Sequence, residues 1–215
     1  MIRCILFDFD GTVFDTVEGI TKSVQYAIRK RGMDAPLSKL RCFAGPPLTD
    51  MFMEHFGFDR KSAEQAVTDY RERYGPIGLY ECRVFPGIKE ALSELRNRGY
   101  LLGIATSKPQ HLAETLLKNE CMLSLFDGIS GSLPSGNDST KADVLRSVME
   151  KLSVLPEESV LIGDTKYDVL GAKACGLDCI GVSWGYAAEG ELEQAGVSEI
   201  VPDLSALLAC FPPLG

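Results

Sequence analysis

From residue 84 onward the chain alternates short, uninterrupted apolar runs with stretches whose apolar residues recur at helical spacing. Residues 101–105, 160–162 and 179–182 are such runs; 126–130 reads as a short strand and 200–201 as a last short one. Residues 4–7, at the start of the chain, read the same way. Between them, Pro86-Gly87 precedes a helical stretch that stops at Gly99, and Leu112, Leu116 and Leu117 share a helical face. Leu145, Val148, Met149 and Leu152 fall at i, i+3, i+4 and i+7. Continuous apolar runs fit strands covered on both faces, and their alternation with helices predicts an open parallel α/β sheet.

In such a sheet, ligands gather at the carboxyl ends of the strands. The first strand ends in Asp8-Phe9-Asp10-Gly11-Thr12, which puts two carboxylates one residue apart at a glycine turn. Neighbouring carboxylates repel unless a cation or a proton lies between them. The pair therefore points to a hard metal ion, a shared proton, or both; its plain alternative is a strand end capped by turn-forming Asp. Residues 101–105 run into Thr106-Ser107-Lys108, and residues 160–162 into Gly163-Asp164, with Asp168 four residues on. Ser139-Thr140-Lys141 opens a helix, so its lysine points back toward the same sheet edge.

Together these residues supply carboxylates, a hydroxyl pair, a lysine and glycine turns, a set that fits phosphoryl transfer. Asp8 can attack phosphorus to give an aspartyl phosphate. Asp10 can give a proton to the leaving alcohol and later take one from water. Thr106 can hydrogen-bond a phosphoryl oxygen, and Lys141 can offset charge on the transferring group and on Asp8. Mg²⁺ prefers oxygen ligands and commonly bridges carboxylates to phosphate. Taken singly, each piece has an ordinary reading. Thr106-Ser107 would cap the following helix, Lys141 would be a solvated charge and Gly163-Asp164 a turn. Asp168 would be a first-turn carboxylate favoured by the helix dipole.

The four motifs Asp8-Phe9-Asp10-Gly11-Thr12, Thr106-Ser107, Lys141 and Gly163-Asp164-x-x-x-Asp168 resemble, in order, those of the haloacid dehalogenase-like superfamily. The resemblance spans nearly the whole chain. It implies a Rossmann-like open parallel sheet with an inserted α-helical cap. It implies Asp8 as nucleophile and Asp10 as acid and base. Mg²⁺ would be held by the Asp8 carboxylate, the Asp10 backbone carbonyl and Asp164, with Asp168 orienting the metal site or Lys141. The superfamily's dehalogenases lack the second aspartate of the first motif, so Asp10 points to phosphate chemistry. Residues 10–16 and 182–186 are similar to the phosphoglycolate phosphatase-like group, and Gly45-Pro46-Pro47-Leu48 to members described as 5′-nucleotidases. The expected activity is Mg²⁺-dependent hydrolysis of a small phosphorylated metabolite. The alternatives are a phosphomutase of the β-phosphoglucomutase type and a catalytically silent regulatory protein.

Residues 16–80 differ from the rest. Val17, Ile20, Val24, Ala27 and Ile28 follow helical spacing, with Asp15 and Glu18 as a capping start. A second short helix is expected over 48–56, and Ala63, Ala66, Val67, Tyr70 and Tyr74 mark a third. The expected organisation is a core of 1–15 and 81–215 with a helical cap of 16–80. Cap loops exclude water and select substrates. Gly45 and Pro46 are accordingly expected to shape the specificity pocket, with a plain interhelical turn as the alternative. Arg41 reads either as a contact for a second anionic group or as a surface charge. His55 and His111 are expected on helix surfaces, Trp184 at a packed face, and residues 135–139 in a loop.

The 215 residues, 45% hydrophobic, are enough for one substantial core with an insert. A net charge of −8 argues against nucleic acid as a partner. No apolar run approaches the ~18 residues of a membrane span. The seven cysteines are odd in number and form no Cys-x-x-Cys pair, which predicts free thiols in a reducing compartment. Met1 leads directly into the first strand, so a cytoplasmic location is expected. No heptads or apolar edge give a reading of oligomeric state.

Overall fold

The computed structural model describes residues 1–132 and 139–215. In chain order the first elements are β1 (Cys4–Phe7), β2 (Phe14–Asp15), α1 (Val17–Arg29), α2 (Leu48–Phe56), α3 (Arg60–Tyr74), β3 (Arg83–Val84) and α4 (Ile88–Asn97). Then come β4 (Leu101–Pro109), α5 (Gln110–Asn119), β5 (Gly128–Ser132), α6 (Lys141–Leu152), β6 (Ser159–Gly163) and α7 (Lys166–Cys175). The chain closes with β7 (Asp178–Val182), α8 (Glu191–Ala195), β8 (Glu199–Val201) and α9 (Leu204–Ala209). Two compact units result, one of residues 1–14 with 84–215 and one of residues 15–83.

The first unit is built on a six-stranded parallel sheet in the order β5-β4-β1-β6-β7-β8. β1 is central and buried along its whole length, which is why its sequence shows no polar alternation. Its neighbours are β4 on one side, with Phe7 opposite Ile104, and β6 on the other, with Phe7 opposite Ile162. The chain places β4 and β5 on one side of β1 and β6, β7 and β8 on the other. The strand order thus reverses at β1, and the crevice at its carboxyl end is where such sheets bind ligands. Leu6, Leu145, Val148, Leu161 and Ala172 are fully buried together and tie α6 and α7 to the sheet.

Two elements differ from the sequence reading. Strand pairing of β5 begins at Gly128 rather than at 126, because Leu123–Leu125 form a 3-10 turn that Phe126 ends. β4 runs on to Pro109, past the apolar run, with a register break between Thr106 and Pro109. Thr106 and Ser107 therefore lie in the strand and do not cap α5, whose N-cap is Pro109. Of the expected 135–139 loop, all but Ser139 falls outside the described residues.

The second unit is helical. The apolar positions Val24, Ala27, Ala63 and Ala66 are fully buried, and α1 packs on α3. Gly19 lets α1 approach the turn at Gly78, whose carbonyl oxygen would lie 1.8 Å from a Cβ there. Asp69 of α3 accepts from Lys30 and Arg31 at the end of α1, and Arg73 pairs with Glu81. The capping start expected at Asp15 is not formed. Thr16 is the N-cap of α1, with no side-chain capping bond, and Asp15 Oδ2 accepts from Arg83. A 3-10 helix over Leu37–Phe43, which carries no helical periodicity, precedes the Gly45-Pro46-Pro47 break. Gly45 has a φ of 110°, open to glycine alone without strain, and Pro47 is the N-cap of α2. Gly45 and Pro46 are half-buried within this unit, and Arg41 is exposed. His55, exposed on α2, stands edge-on to Phe43 and Phe56; His111 is exposed on α5. All seven cysteines are free thiols. Among the described residues, no helix is long and apolar enough to cross a membrane.

Candidate active site

Asp8 follows β1 directly, and its amide donates to the Ile162 carbonyl at 2.8 Å, which carries the β1–β6 ladder one residue beyond the strand. The turn after it needs Gly11, with a φ of 87°; a Cβ there would come within 2.1 Å of Asp164 Oδ2. Asp164 follows β6 and is fully buried. Its Oδ1 accepts from the Thr12 hydroxyl at 3.1 Å and its Oδ2 from the Tyr186 amide at 2.8 Å. The segment after β7 thus closes on the end of β6, and Trp184 Nε1 donates to the Thr12 carbonyl at 3.2 Å. Gly185 permits this approach, since a Cβ would meet Asp164 Cβ at 2.1 Å.

Lys141 occupies the first position of α6, where the helix dipole opposes a positive charge. It is nonetheless buried, and its ammonium has three acceptors. These are Asp8 Oδ1 at 2.5 Å, the Ala105 carbonyl at 2.7 Å and Asp168 Oδ1 at 2.7 Å. The lysine therefore is not a solvated surface charge. Asp168 divides its two oxygens between a helix cap and the lysine. Its Oδ2 caps α7 by accepting from the Thr165 amide and hydroxyl, each at 3.0 Å, while Oδ1 holds Lys141.

Burial pushes the Asp8 carboxyl up to about 7, with the charges of Asp168 and Asp10 adding to it and Lys141 opposing it. Asp164 is pushed well above the ordinary carboxylate range, first by burial and then by Asp168 and Asp8. Burial works against the charge on Lys141, but Asp168 and Asp8 outweigh it and raise its pKa. Carboxylate oxygens of Asp8, Asp164 and Asp168 lie within 4.8 Å of one another. Two buried carboxylates that repel each other, in an all-oxygen donor set, fit a hard divalent cation. Among them Asp168 Oδ1 faces the Lys141 ammonium, while Asp164 accepts only from the neutral Thr12 hydroxyl and Tyr186 amide.

Asp10 and Thr106 complete the cluster through a residue that the sequence reading passed over. Lys108 Nζ donates to Asp10 Oδ1 at 2.8 Å and Oδ2 at 3.1 Å, and its amide to Thr106 Oγ1 at 3.1 Å. Ser107 is half-buried. Gly45 and Pro46 belong to the helical unit. Thr12, Lys108 and the 184–186 segment were not singled out as site residues. Each lies in or beside a quoted motif, and that adjacency is the one signal the sequence held for them.

The model of the haloacid dehalogenase-like hydrolases matches residues 5–182. A 5′-nucleotidase of Pseudomonas aeruginosa is 43% identical over 204 residues, covering 94% of this chain and 92% of that protein. Tyrosine-protein kinase PtkA of Mycobacterium tuberculosis is 33% identical, over 92% of this chain and 68% of its own length. A phosphoglycolate phosphatase of Pseudomonas putida is 30% identical, with coverage of 98% and 80%. The crystal structure of a predicted phosphatase from Clostridium acetobutylicum superposes with a TM-score of 0.94, at 40% identity and 98% coverage of both chains. The chain belongs to the haloacid dehalogenase-like hydrolase family, and within it to the phosphatases.

Proposed function

We propose that the protein is a Mg²⁺-dependent phosphomonoesterase that works through an aspartyl phosphate on Asp8, with nucleoside 5′-monophosphates as its first substrate class and phosphoglycolate as its second. One observation carries the reading: the buried contact of Lys141 with both Asp8 and Asp168 at the carboxyl edge of the sheet. It holds a carboxylate nucleophile beside a fixed positive charge, which is what an attack on a phosphate dianion requires. The preference for nucleotides is supported by the 43% identity to a 5′-nucleotidase over most of both chains.

In this reading an Asp8 oxygen attacks phosphorus while Lys141 offsets the charge on the equatorial oxygens. Thr106 Oγ1 accepts the Lys108 amide, so its own hydrogen serves the phosphoryl group. Asp10 protonates the departing alcohol and then takes a proton from the water that hydrolyses the acyl phosphate. Asp168 keeps Lys141 in place. The Asp8 and Asp164 carboxylates and the Asp10 carbonyl would hold Mg²⁺, which when bound offsets the repulsion between nucleophile and phosphate. Residues 15–83 act as the substrate-selecting cap, with Gly45, Pro46 and Ser107 contributing to substrate binding.

Phosphate release from nucleoside 5′-monophosphates, phosphoglycolate and hexose phosphates, with Mg²⁺ and with chelator, tests the proposal. Metal-dependent release led by a nucleotide is the expected result. Transfer of the phosphoryl group to a second hydroxyl, without free phosphate, would replace hydrolysis by a mutase.

A further inference from the structure

We infer that Lys108 is a positioning residue whose ammonium fixes the Asp10 carboxylate in the orientation from which it protonates the leaving oxygen. The inference rests on the reading of Asp10 as acid and base. Lys108 and Asp10 are each only 7% exposed, and the ammonium bridges both carboxylate oxygens, at 2.8 and 3.1 Å. Nζ also sits 5.7 Å from the centre of the Phe9 ring. Two bonds from one donor restrict rotation of the carboxylate plane in a way a single contact does not. A buried ion pair adds little to stability against an apolar pair of similar size. Fold stability alone therefore does not account for a lysine at this depth.

The backbone is shaped for this placement. β4 breaks register between Thr106 and Pro109, and such bulges re-aim side chains beside active sites. Within the break, the Lys108 amide turns onto Thr106 Oγ1. On the neighbouring strand, Gly131 makes room, because a Cβ there would lie 2.5 Å from the Lys108 carbonyl. The result is a division of labour between two buried lysines. Lys141 is held by Asp8, Asp168 and a backbone carbonyl, whereas Lys108 grips Asp10. Each carboxylate of the first motif has its own cation, so the two stay apart although one residue separates them.

In the step concerned, a bond forms between an Asp8 oxygen and phosphorus as the ester bond breaks. The electron pair goes to the departing oxygen, which takes the Asp10 proton. A well-placed acid matters most when that oxygen is basic. The test is kcat/KM for an alkyl phosphate and for 4-nitrophenyl phosphate, in wild type, Lys108→Met, Lys108→Arg and Asp10→Asn. General acid catalysis contributes ~10²–10⁴-fold. Lys108→Met is expected to lose at least about tenfold more on the alkyl ester than on the nitrophenyl ester, a part of that range. Lys108→Arg, which keeps a cation with two donors, recovers most of the difference. The ratio of the two esters does not depend on how much protein folds, and Lys108→Gln is the second variant if Met blocks folding. Equal losses on both esters in Lys108→Met would overturn the inference. If Asp10→Asn also shows equal losses, the acid reading falls with it; if Asp10→Asn discriminates and Lys108→Met does not, only the role of Lys108 falls.

Discussion

Gly171 is predicted to control activity although it bears no side chain and lies outside the acid cluster. It sits within α7 where that helix meets the first turn of α6. A Cβ at this position would lie 2.5 Å from Lys141 Cγ and 2.8 Å from Lys141 Cβ. Carbon atoms pack at about 3.5–4.0 Å, so Gly171→Ala forces a displacement of roughly 1 Å. Lys141 Nζ reaches its three acceptors at 2.5, 2.7 and 2.7 Å. A retreat of that size takes it past the ~3.2 Å limit of a good hydrogen bond. Overpacking costs about 1–3 kcal/mol, and alanine's better helix propensity returns about 1 kcal/mol. The net stability change is thus small, about 0–2 kcal/mol. Misplacing a charged catalytic group by that distance costs about 10²-fold in rate. Initial rates of phosphate release and thermal midpoints, measured on the same preparations, separate the two effects. Gly75→Ala, where a Cβ meets only the Arg71 carbonyl at 3.5 Å, is the control. A Gly171→Ala enzyme with rates within twofold of wild type would refute the placement of Lys141 argued above.

Other consequences concern charge and pH. Asp8 has a folded-state pKa of about 7 against an ordinary 3.8, so between these values the folded protein keeps a proton that the unfolded chain has lost. Stability of the metal-free protein should therefore fall as pH rises from about 4 to 7; Asp8→Asn should flatten that slope in thermal melts, and an unchanged slope would contradict it. Mg²⁺ added at about pH 8 should raise the wild-type midpoint more than that of Asp164→Asn. Asp69 behaves oppositely, since Lys30 and Arg31 outweigh its burial and lower its pKa. Its contribution is complete above about pH 4 and is lost below. Asp69→Asn should cost about 1–2 kcal/mol at neutral pH, read by denaturant unfolding, and should remove part of the acid loss.

Much of this architecture was legible because its signals are local. The apolar run ahead of Asp8, the strand-end glycines and the helical spacing of 145–152 each need only a short window of sequence. Lys141 could be read toward the sheet edge because it opens a helix beside a threonine cap. What was missed depends on distant partners. Lys108 looks like a solvated charge until the break in β4 and the room at Gly131 are known. Thr12 and the 184–186 segment act on Asp164, more than a hundred and fifty and about twenty residues away respectively. The capping start read at Asp15 differs because the helix begins one residue later, with Thr16 as its N-cap, while Asp15 Oδ2 accepts from Arg83, 68 residues on. The 3-10 helix over Leu37–Phe43 has no period-3.6 pattern to betray it.

The central claim is that Asp8 carries the phosphoryl group. Its most direct test is to quench the enzyme in acid during turnover, reduce the acyl phosphate with borohydride and map the modified residue by mass spectrometry. The account predicts a reduced side chain at Asp8 alone, absent from Asp8→Asn, which also releases no phosphate. Modification at Asp10 or Asp164, or turnover that persists in Asp8→Asn, would contradict it.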